Sequence, residues 1–298
     1  FDFFCSLFRT HDIYYSMKHL LFLVFCLTFL GCSQNQDFHP VDSWKIHFLD
    51  VGQGLSVLLE SDGKFALYDT GPDSANFENL LKTLHVDTLE WIVISHFHRD
   101  HAGGFLEIAK KDSPFFIKQI YFGKDSTKSW IADSCISLVQ EKDVPLKYLQ
   151  KGDSILFNKY PLHVLWPESE RNYGDNNASL VLSSRKGNES LLLTGDIEAE
   201  TEKKILDYYP SLRGALFQVP HHGSRNSSTL KFLETLQIQY AVISNAKENT
   251  YEHPHSETLK KLEAATGNSE KIFRTDSLGT VCFHWEFGTG IWPCSKNH

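Results

Sequence analysis

The amino-acid sequence predicts an α/β fold in which strands and helices are layered within a single domain. The chain has 298 residues, of which 41% are hydrophobic, so it can fill a sizeable core. Short apolar runs bounded by glycine turns alternate with segments of helical spacing, and no repeat or low-complexity tract interrupts them. Strands interleaved with helices over the whole length are typical of an α/β layered structure.

The first elements of this alternation are four strands and one helix. WKIHFLD (44–50), LSVLLE (55–60) and FALYD (65–69) are short and apolar, as strands are. Residues 75–86 have helical spacing. LEWIVIS (89–95) is a continuous apolar run, which indicates a strand covered on both faces.

The rest of the chain continues the pattern. We expect further strands at 116–122, 161–166, 178–184, 190–194, 215–219, 239–244 and 280–285, and helices at 127–141, 197–208, 228–236 and 256–265. The formal net charge of −8 excludes a broad basic face for duplex nucleic acid and leaves room only for a local basic patch.

The amino-terminal segment is expected to be an export signal. Met17 is the only methionine, and residues 1–16 before it are expected not to be translated. A short basic head precedes the apolar run 20–30, which is too short to span a bilayer. The ending Phe-Leu-Gly-Cys resembles a bacterial lipoprotein signal over 17–31, which implies that Cys32 carries the lipid.

We therefore expect an exported protein anchored to a bacterial membrane, with a polar tether over 32–43 and the folded domain over 44–298. A soluble secreted form is the alternative. Beyond the leader and Cys32, the cysteines are Cys135, Cys282 and Cys294. Export permits a disulfide between the last two, and two free buried thiols are the alternative.

A histidine cluster follows the predicted buried strand 89–95. SHFHRDHAGG (95–104) places His96, His98, Asp100 and His101 in a loop that opens a helix through two glycines. Neutral imidazoles and a carboxylate that converge on a small volume form a transition-metal site. A chance group of surface histidines is the alternative, but it does not account for the strand before the cluster and the helix after it.

The motifs around this cluster resemble the metallo-β-lactamase family. Within that family, the motifs resemble most closely the metallo-β-lactamase-like domain of the DNA-uptake protein ComEC and related free-standing hydrolases. It covers Trp44 to about Val281 and implies a four-layer αβ/βα sandwich with metals in the cleft along the edge between two sheets. The motifs in chain order are FLDVGQGLSVLLE (48–60), YDTG (68–71), SHFHRDHAGG (95–104), DNNASLVL (175–182), LLLTGDIE (191–198), VPHHGSRNS (219–227) and RTDSLGTV (274–281).

The resemblance implies two divalent metal ions, zinc or manganese. His96 and His98 would hold the first ion, Asp100 and His101 the second, and Asp196 would bridge both. A helix N-cap is the alternative role for Asp196. Asp69 of YDTG is expected to orient the ligand loop by accepting a hydrogen bond, and a simple turn aspartate is its alternative.

One ligand of the wider family has no counterpart here. Most members have a third histidine for the first metal before the strand that precedes TGD, whereas this chain has Asn176 and Asn177. An amide oxygen or a water could complete that site, which makes manganese a serious option and leaves open a single firmly held ion. The ComEC-type relatives share the asparagines, so we expect Asn177 near the substrate.

The VPHHGS motif offers adjacent histidines. Neighbours that leave a strand point in opposite directions, so we expect His222 to bind metal and His221 to face the substrate. Ser224 and Arg225 follow and can bind phosphate, and His253 is a further cleft residue. Solvated loop positions are the alternative for Ser224 and Arg225.

These residues predict a hydrolase that uses a metal-bound hydroxide, with Asp100, Asp69 and His221 serving catalysis. No nucleophilic serine elbow is evident. The expected substrates are phosphodiesters, including single-stranded DNA, and no protein partner is predicted. A carbonyl substrate such as a lactam, lactone or thioester is one alternative, and a non-catalytic ComEC-like binding module is another.

The lipid anchor gives a first testable prediction. In bacteria fed labelled palmitate, the protein should incorporate label and partition into detergent, because the cysteine thiol is the acceptor. Cys32→Ser should lose both properties. Equal labelling of the variant and the unaltered protein would contradict the anchor.

Overall fold

Two β-sheets packed face to face form the centre of the structure, a computed structural model that describes residues 42–124, 129–168 and 176–295. These residues belong to one compact unit that starts at Asp42. The strands are β1 (Ser43–Phe48), β2 (Val57–Ser61), β3 (Lys64–Tyr68), β4 (Thr88–Leu89), β5 (Trp91–Ile94), β6 (Phe116–Ile117), β7 (Ile120–Gly123), β8 (Leu146–Leu149), β9 (Ser154–Phe157), β10 (Tyr160–Trp166), β11 (Val181–Lys186), β12 (Glu189–Leu193), β13 (Leu216–Gln218), β14 (Tyr240–Ile243), β15 (Ile272–Arg274), β16 (Val281–Glu286) and β17 (Gly290–Pro293).

The first sheet has the strand order β17-β16-β1-β2-β3-β5-β7-β8, and the second has the order β15-β14-β13-β12-β11-β10-β9. The small strands β4 and β6 pair separately. The helices are α1 (Phe77–Thr83), α2 (Arg99–Ala102), α3 (Phe105–Ile108), α4 (Trp130–Lys142), α5 (Ala199–Tyr208), α6 (Leu230–Leu236), α7 (Ser256–Thr266) and α8 (Thr275–Leu278). Short 3₁₀ turns lie at Asp73–Ala75, Asn176–Ala178, Pro220–Gly223 and Ser269–Lys271.

Three apolar cores separate four layers. The core between the sheets takes side chains from β1, β2 and β3 on one side and from β9–β13 on the other. A second core packs the first sheet against α1, α3 and α4, and a third packs the second sheet against α5, α6 and α7. The predicted four-layer αβ/βα sandwich is therefore confirmed.

Trp44 anchors the core between the sheets. Its fully buried ring makes edge contacts with Phe157 and Tyr160 of the second sheet, at centroid distances of 5.5 and 6.3 Å. It also contacts Trp285 and Phe287 at 5.6 and 5.1 Å. Edge-to-face aromatic pairs add to the energy of simple burial, so this group fixes one sheet against the other.

Parallel strands direct the chain to one edge of the sandwich. β3 runs parallel to β5 in the first sheet, and β12, β13 and β14 run parallel in the second. The carboxyl ends of parallel strands meet at a common edge, where open α/β sheets bind ligands. Asp69, the histidine loop, Asp196, the histidine pair and Ser244 all follow these strand ends.

The structure adds elements that the sequence pattern did not predict. Strands β8, β9, β15 and β17 were not expected, because they are three or four residues long and carry few apolar side chains on a regular face. The helix expected at 127–141 is Trp130–Lys142, where the Ser129 side chain accepts a hydrogen bond from the Ala132 amide. Thr229 caps α6 in the same way, through the Phe232 amide.

Two of the predicted features concern membranes and cysteines. Cys32 and the predicted leader lie outside the described residues. Within the described ranges, no helix has the length and apolar character to cross a bilayer. Cys282 of β16 and Cys294, just after β17, form a disulfide with a Cα–Cα distance of 5.3 Å.

This disulfide secures the edge strand β17. Breaking it should destabilise the domain by about 2–4 kcal/mol, because the open chain gains conformational freedom on unfolding. We expect the double variant Cys282→Ser/Cys294→Ser to melt at lower temperature than the unaltered protein. Dithiothreitol should lower the melting temperature of the unaltered protein and leave that of the double variant unchanged. Equal melting of all four samples would show that the bond contributes nothing.

Candidate metal centre

Four side chains converge at the edge of the sandwich. One donor atom from each of Asp100, His101, Asp196 and His222 lies within 4.8 Å of the other three. His101 Nε2 is 3.2 Å from Asp196 Oδ2, and His222 Nε2 is 3.2 Å from Asp100 Oδ2 and 3.4 Å from Asp196 Oδ2. Two residues follow a strand of the first sheet and two follow strands of the second. The group therefore depends on the packing of both sheets.

The buried polar atoms of this group fit a metal ion. His101 Nε2, His222 Nε2 and Asp196 Oδ1 are buried and make no hydrogen bond. Buried polar atoms without a hydrogen bond are rare, because leaving them unpaired costs free energy. Two imidazole nitrogens and two carboxylates are a donor set that suits divalent transition metals. The residues present therefore fit a divalent cation at their centre.

Each ring is held from behind through Nδ1. Asp69 Oδ2 lies 2.7 Å from His101 Nδ1, and His222 Nδ1 donates to the Ser244 carbonyl at 2.8 Å. These bonds fix the ring orientation and leave Nε2 directed at the centre, as in metal sites whose histidines are oriented by outer partners. Asp69 and Ser244 therefore determine where the two imidazoles point.

Asp69 is itself fully buried and fully bonded. Its carboxylate accepts hydrogen bonds from the Ser95 amide at 2.6 Å and the Ser95 hydroxyl at 2.7 Å. Burial raises the pKa of Asp69, although His101 opposes that shift. The residue adopts φ +60°, a left-handed conformation that costs energy outside glycine and is common at functional sites. Its contacts match the predicted orienting role rather than a simple turn.

Opposite charges stabilise the group of Asp100, His101, Asp196 and His222. Burial disfavours the charged imidazole of His222, but Asp196 and Asp100 outweigh it and raise its pKa to about 10. Against the same cost of burial, these carboxylates and Asp69 raise the pKa of His101 well above its usual value. The two histidines in turn lower the pKa of Asp196 and Asp100 despite burial. Two adjacent carboxylates thus require positive charge between them, which a divalent ion supplies.

His96 and His98 adjoin this group. The His96 ring is 4.2 Å from the His101 ring and 4.5 Å from the His98 ring, measured between centroids. His96 Nε2 is buried without a hydrogen bond, whereas its Nδ1 lies 3.0 Å from Ser95 Oγ and 3.3 Å from Ser179 Oγ. The structure thus brings both histidines next to the group of Asp100, His101, Asp196 and His222. Their role as ligands of a first ion stays a prediction.

A family model described as the metallo-beta-lactamase superfamily matches residues 49–246, which include this whole group. The chain belongs to the metallo-β-lactamase superfamily. The resemblance drawn from its motifs is therefore confirmed. A divalent metal is consistent with this membership, and the donor atoms described above do not select between zinc and manganese.

Its relatives within the superfamily include competence proteins. ComE operon protein 3 of Bacillus subtilis is 28% identical over 94% of this chain and 36% of its own length. Competence protein ComA of Neisseria gonorrhoeae is 29% identical over 84% of this chain and 33% of its own length. The chain thus spans about a third of these curated relatives. The structure of the metallo-beta-lactamase fold protein YhfI from Bacillus subtilis superposes with a TM-score of 0.51 at 13% identity, covering 81% of this chain and 99% of that one.

The histidine pair does not leave a strand as the sequence analysis assumed. β13 ends at Gln218, and His221 and His222 lie in a 3₁₀ turn with φ values of +51° and +53°. The premise of alternating strand side chains was therefore wrong. The left-handed turn nevertheless separates the two rings, because it buries His222 in the metal group and leaves the His221 side chain 20% exposed.

The two asparagines lie in different surroundings. Asn177 Oδ1 accepts hydrogen bonds from the Glu198 amide at 3.0 Å and the Thr201 hydroxyl at 2.8 Å, so it holds the start of α5. Its predicted contact with substrate is not supported by these bonds and stays a prediction. Asn176 is the amide near the site, with Nδ2 3.5 Å from His221 Nε2. Asp196 does not cap a helix, since α5 begins at Ala199 after Glu198.

The remaining predicted residues, Ser224, Arg225 and His253, lie in different environments near the histidine pair. Ser224 is buried, and its carbonyl accepts a hydrogen bond from Thr258 Oγ1 at 3.0 Å. Arg225 is exposed and its amide donates to His255 Nδ1 at 3.2 Å. His253 lies beside His221, at a centroid distance of 5.5 Å, and burial and the neighbouring imidazoles lower its pKa to about 4.

Sequence reasoning missed three residues that shape the site. Ser95 and Ser179 contact His96, and the Ser179 hydroxyl also accepts from the Asp196 amide at 3.0 Å. Gln218 Oε1 accepts from the Thr194 and Gly195 amides and so holds the turn before Asp196. Gly195 has φ +55°, and a Cβ there would lie 2.8 Å from Ser179 Oγ. Their only signal in the sequence was position: Ser95 opens SHFHRDHAGG, Ser179 lies in DNNASLVL, and Gln218 directly precedes VPHHGSRNS.

The metal group predicts how single substitutions alter metal content. Asp196→Asn and His101→Ala should each reduce bound metal after dialysis, since the first removes a carboxylate charge and the second removes a buried imidazole donor. Asp69→Asn should weaken metal affinity by about 10- to 100-fold, because His101 loses its orienting partner. Elemental analysis and metal titration measure both effects. His163→Ala, on the exposed face of β10, is the matched control. Full metal content in both Asp196→Asn and His101→Ala would refute the assignment.

Proposed function

We propose that this protein is a metal-dependent hydrolase of phosphodiesters, of the phosphodiesterase or nuclease type. The observation that carries the proposal is the group of Asp100 and the buried His101, Asp196 and His222, beside the partly exposed His221. A bound divalent metal lowers the pKa of water to about 7, which supplies a nucleophile, and it also stabilises developing negative charge. The chain's own side chains must then position the substrate and assist the leaving group.

His221 is the residue that we assign to the leaving group. Its ring is 6.4 Å from the His222 ring between centroids, and its Nδ1 is 3.5 Å from Glu198 Oε1. When water adds to phosphorus, the bond to the leaving oxygen breaks and that oxygen requires a proton or a hydrogen bond. His221 is a partly exposed imidazole next to the metal group, so it can donate to that oxygen. Glu198 lies near its Nδ1 and Asn176 near its Nε2.

Three further observations favour phosphodiesters. The carboxylates and imidazoles of the donor group would hold a cation at their centre. That cation would attract an anionic substrate, although the protein as a whole is acidic. A similar chain is named for competence, which suggests a role with DNA that we extend to this protein. Arg225 at the opening offers a guanidinium for a second phosphate.

The same proposal includes the location of the protein. An exported chain anchored through Cys32 would place the metal group outside the cytoplasm, where extracellular nucleic acid is available. The support is the apolar leader 20–30 followed by Gly31 and Cys32.

A substrate panel tests the activity. Bis(p-nitrophenyl) phosphate, single-stranded DNA and nitrocefin should be assayed with zinc and with manganese, and we expect turnover of the first two only. His221→Ala should lower kcat by about 100- to 10,000-fold, the usual contribution of a general acid, with metal content retained. Turnover of nitrocefin alone would establish a carbonyl hydrolase instead. Metal binding without turnover of any substrate would indicate a binding module.

A further inference from the structure

A row of aromatic rings leads from the metal group to the protein surface. The His253 ring stacks on the ligand His222 with an interplanar angle of 26° and a centroid distance of 6.3 Å. The Tyr251 ring in turn stacks on the His253 ring, with an interplanar angle of 23° and a centroid distance of 5.7 Å. Tyr251 is 62% exposed, so the outer end of the row presents a flat aromatic ring to solvent.

The loop that carries Tyr251 is held by two asparagines. Asn249 Oδ1 accepts from the Tyr251 and His253 amides, at 3.2 and 2.9 Å. Asn249 Nδ2 donates to the Ala246 and His253 carbonyls, and Asn245 Nδ2 donates to the same two carbonyls. These bonds satisfy the backbone of the turn. The backbone that carries the exposed ring is therefore ordered before any ligand arrives, which reduces the entropy cost of binding.

An open cavity is lined by residues on both sides of Tyr251 in the chain. A cavity of about 560 Å³, within the size range of ligand sites, is lined by residues 247–250, Glu252 and His253. Lys247 contributes an ammonium to it, and Glu248 and Glu252 contribute carboxylates. On another side of His253, the His255 ring is 4.9 Å away and accepts a hydrogen bond from the Arg225 amide. His253 thus lies in the wall of this cavity and next to the His255 ring.

An exposed, preordered aromatic ring near a phosphodiester site suits one group in particular. Bases of single strands stack on such rings with little dependence on sequence, because every base has a π-face. Bases inside a duplex are covered by their neighbours and leave no free face for the ring. A phosphodiester that carries an unpaired base can therefore use the metal group and the ring together.

We propose that Tyr251 is a specificity-determining residue that stacks on an unpaired nucleobase adjoining the phosphodiester in the metal site. This inference rests on the proposed function, and it narrows the substrate class to nucleotidyl phosphodiesters. Tyr251 acts on binding and selectivity, and the chemistry at phosphorus remains with the metal group and His221.

A matched pair of esters tests the proposal. Thymidine 5′-(p-nitrophenyl) phosphate and methyl p-nitrophenyl phosphate share a leaving group and differ in the base. In Tyr251→Ala, the ratio of kcat/KM for the nucleoside ester to kcat/KM for the methyl ester should fall by about 5- to 150-fold, which corresponds to stacking worth about 1–3 kcal/mol. Tyr251→Phe and Tyr251→Trp should keep the ratio, since both retain a flat ring.

Tyr148→Ala is the matched control, because Tyr148 is an exposed tyrosine on β8, the outermost strand of the first sheet. It should leave the kinetics of both esters unchanged. An unaltered ratio in Tyr251→Ala would overturn the stacking role. An equal loss for both esters would overturn it as well, since that result indicates a general disturbance of the site.

A binding measurement separates this inference from the proposed function. With the metal retained and phosphorothioate linkages to prevent hydrolysis, fluorescence anisotropy compares a labelled single-stranded oligonucleotide with the same oligonucleotide made of abasic residues. The unaltered protein should prefer the oligonucleotide with bases, and Tyr251→Ala should lose that preference. If neither ester is hydrolysed but this preference depends on Tyr251, the proposed function fails and the stacking site stands. Equal binding of both oligonucleotides by the unaltered protein would refute the stacking site.

Discussion

The burial of Asp196 next to the partly exposed Asp100 is the constraint on which the rest of the site depends. Carboxylates taken out of water are costly unless opposite charge lies beside them. His101 and His222 supply that charge at 3.2–3.4 Å, and their other nitrogens are held by Asp69 and the Ser244 carbonyl. The Ser95 hydrogen bonds to Asp69 then follow from the same requirement, since this second buried carboxylate must also be satisfied.

The fold meets this requirement by joining strand ends from both sheets. Strands β3 and β5 deliver Asp69 and the histidine loop, whereas β12, β13 and β14 deliver Asp196, His222 and Ser244. Turns with unusual backbone angles complete the geometry, at Asp69, at Gly195 and at the histidine pair. Such conformations persist only where the surroundings determine them, and here the four-layer packing does so.

Contiguous motifs made much of this site predictable from the sequence. His96, His98, Asp100 and His101 lie in one short stretch after an obvious buried strand, so their proximity required no long-range information. Asp196 and His222 could be assigned only through resemblance, because nothing local shows that two distant segments meet. The Ser244 carbonyl and the left-handed turn at the histidine pair could not be predicted, since a backbone oxygen and a φ angle carry no residue signature. The short strands β8 and β17 were missed because tertiary pairing, rather than periodicity, creates them.

The division of the ligands between the two sheets gives the metal a mechanical consequence. Any ion held by Asp100 and His101 on one side and Asp196 and His222 on the other ties the sheets together, so that pulling them apart removes half of its ligands. Ligand binding to the folded state alone adds to its stability by mass action, and the coupling acts in both directions. Weakening the aromatic contacts that Trp44 makes between the sheets should therefore also weaken metal binding. The affinity for metal therefore depends on how stably the two sheets pack against each other.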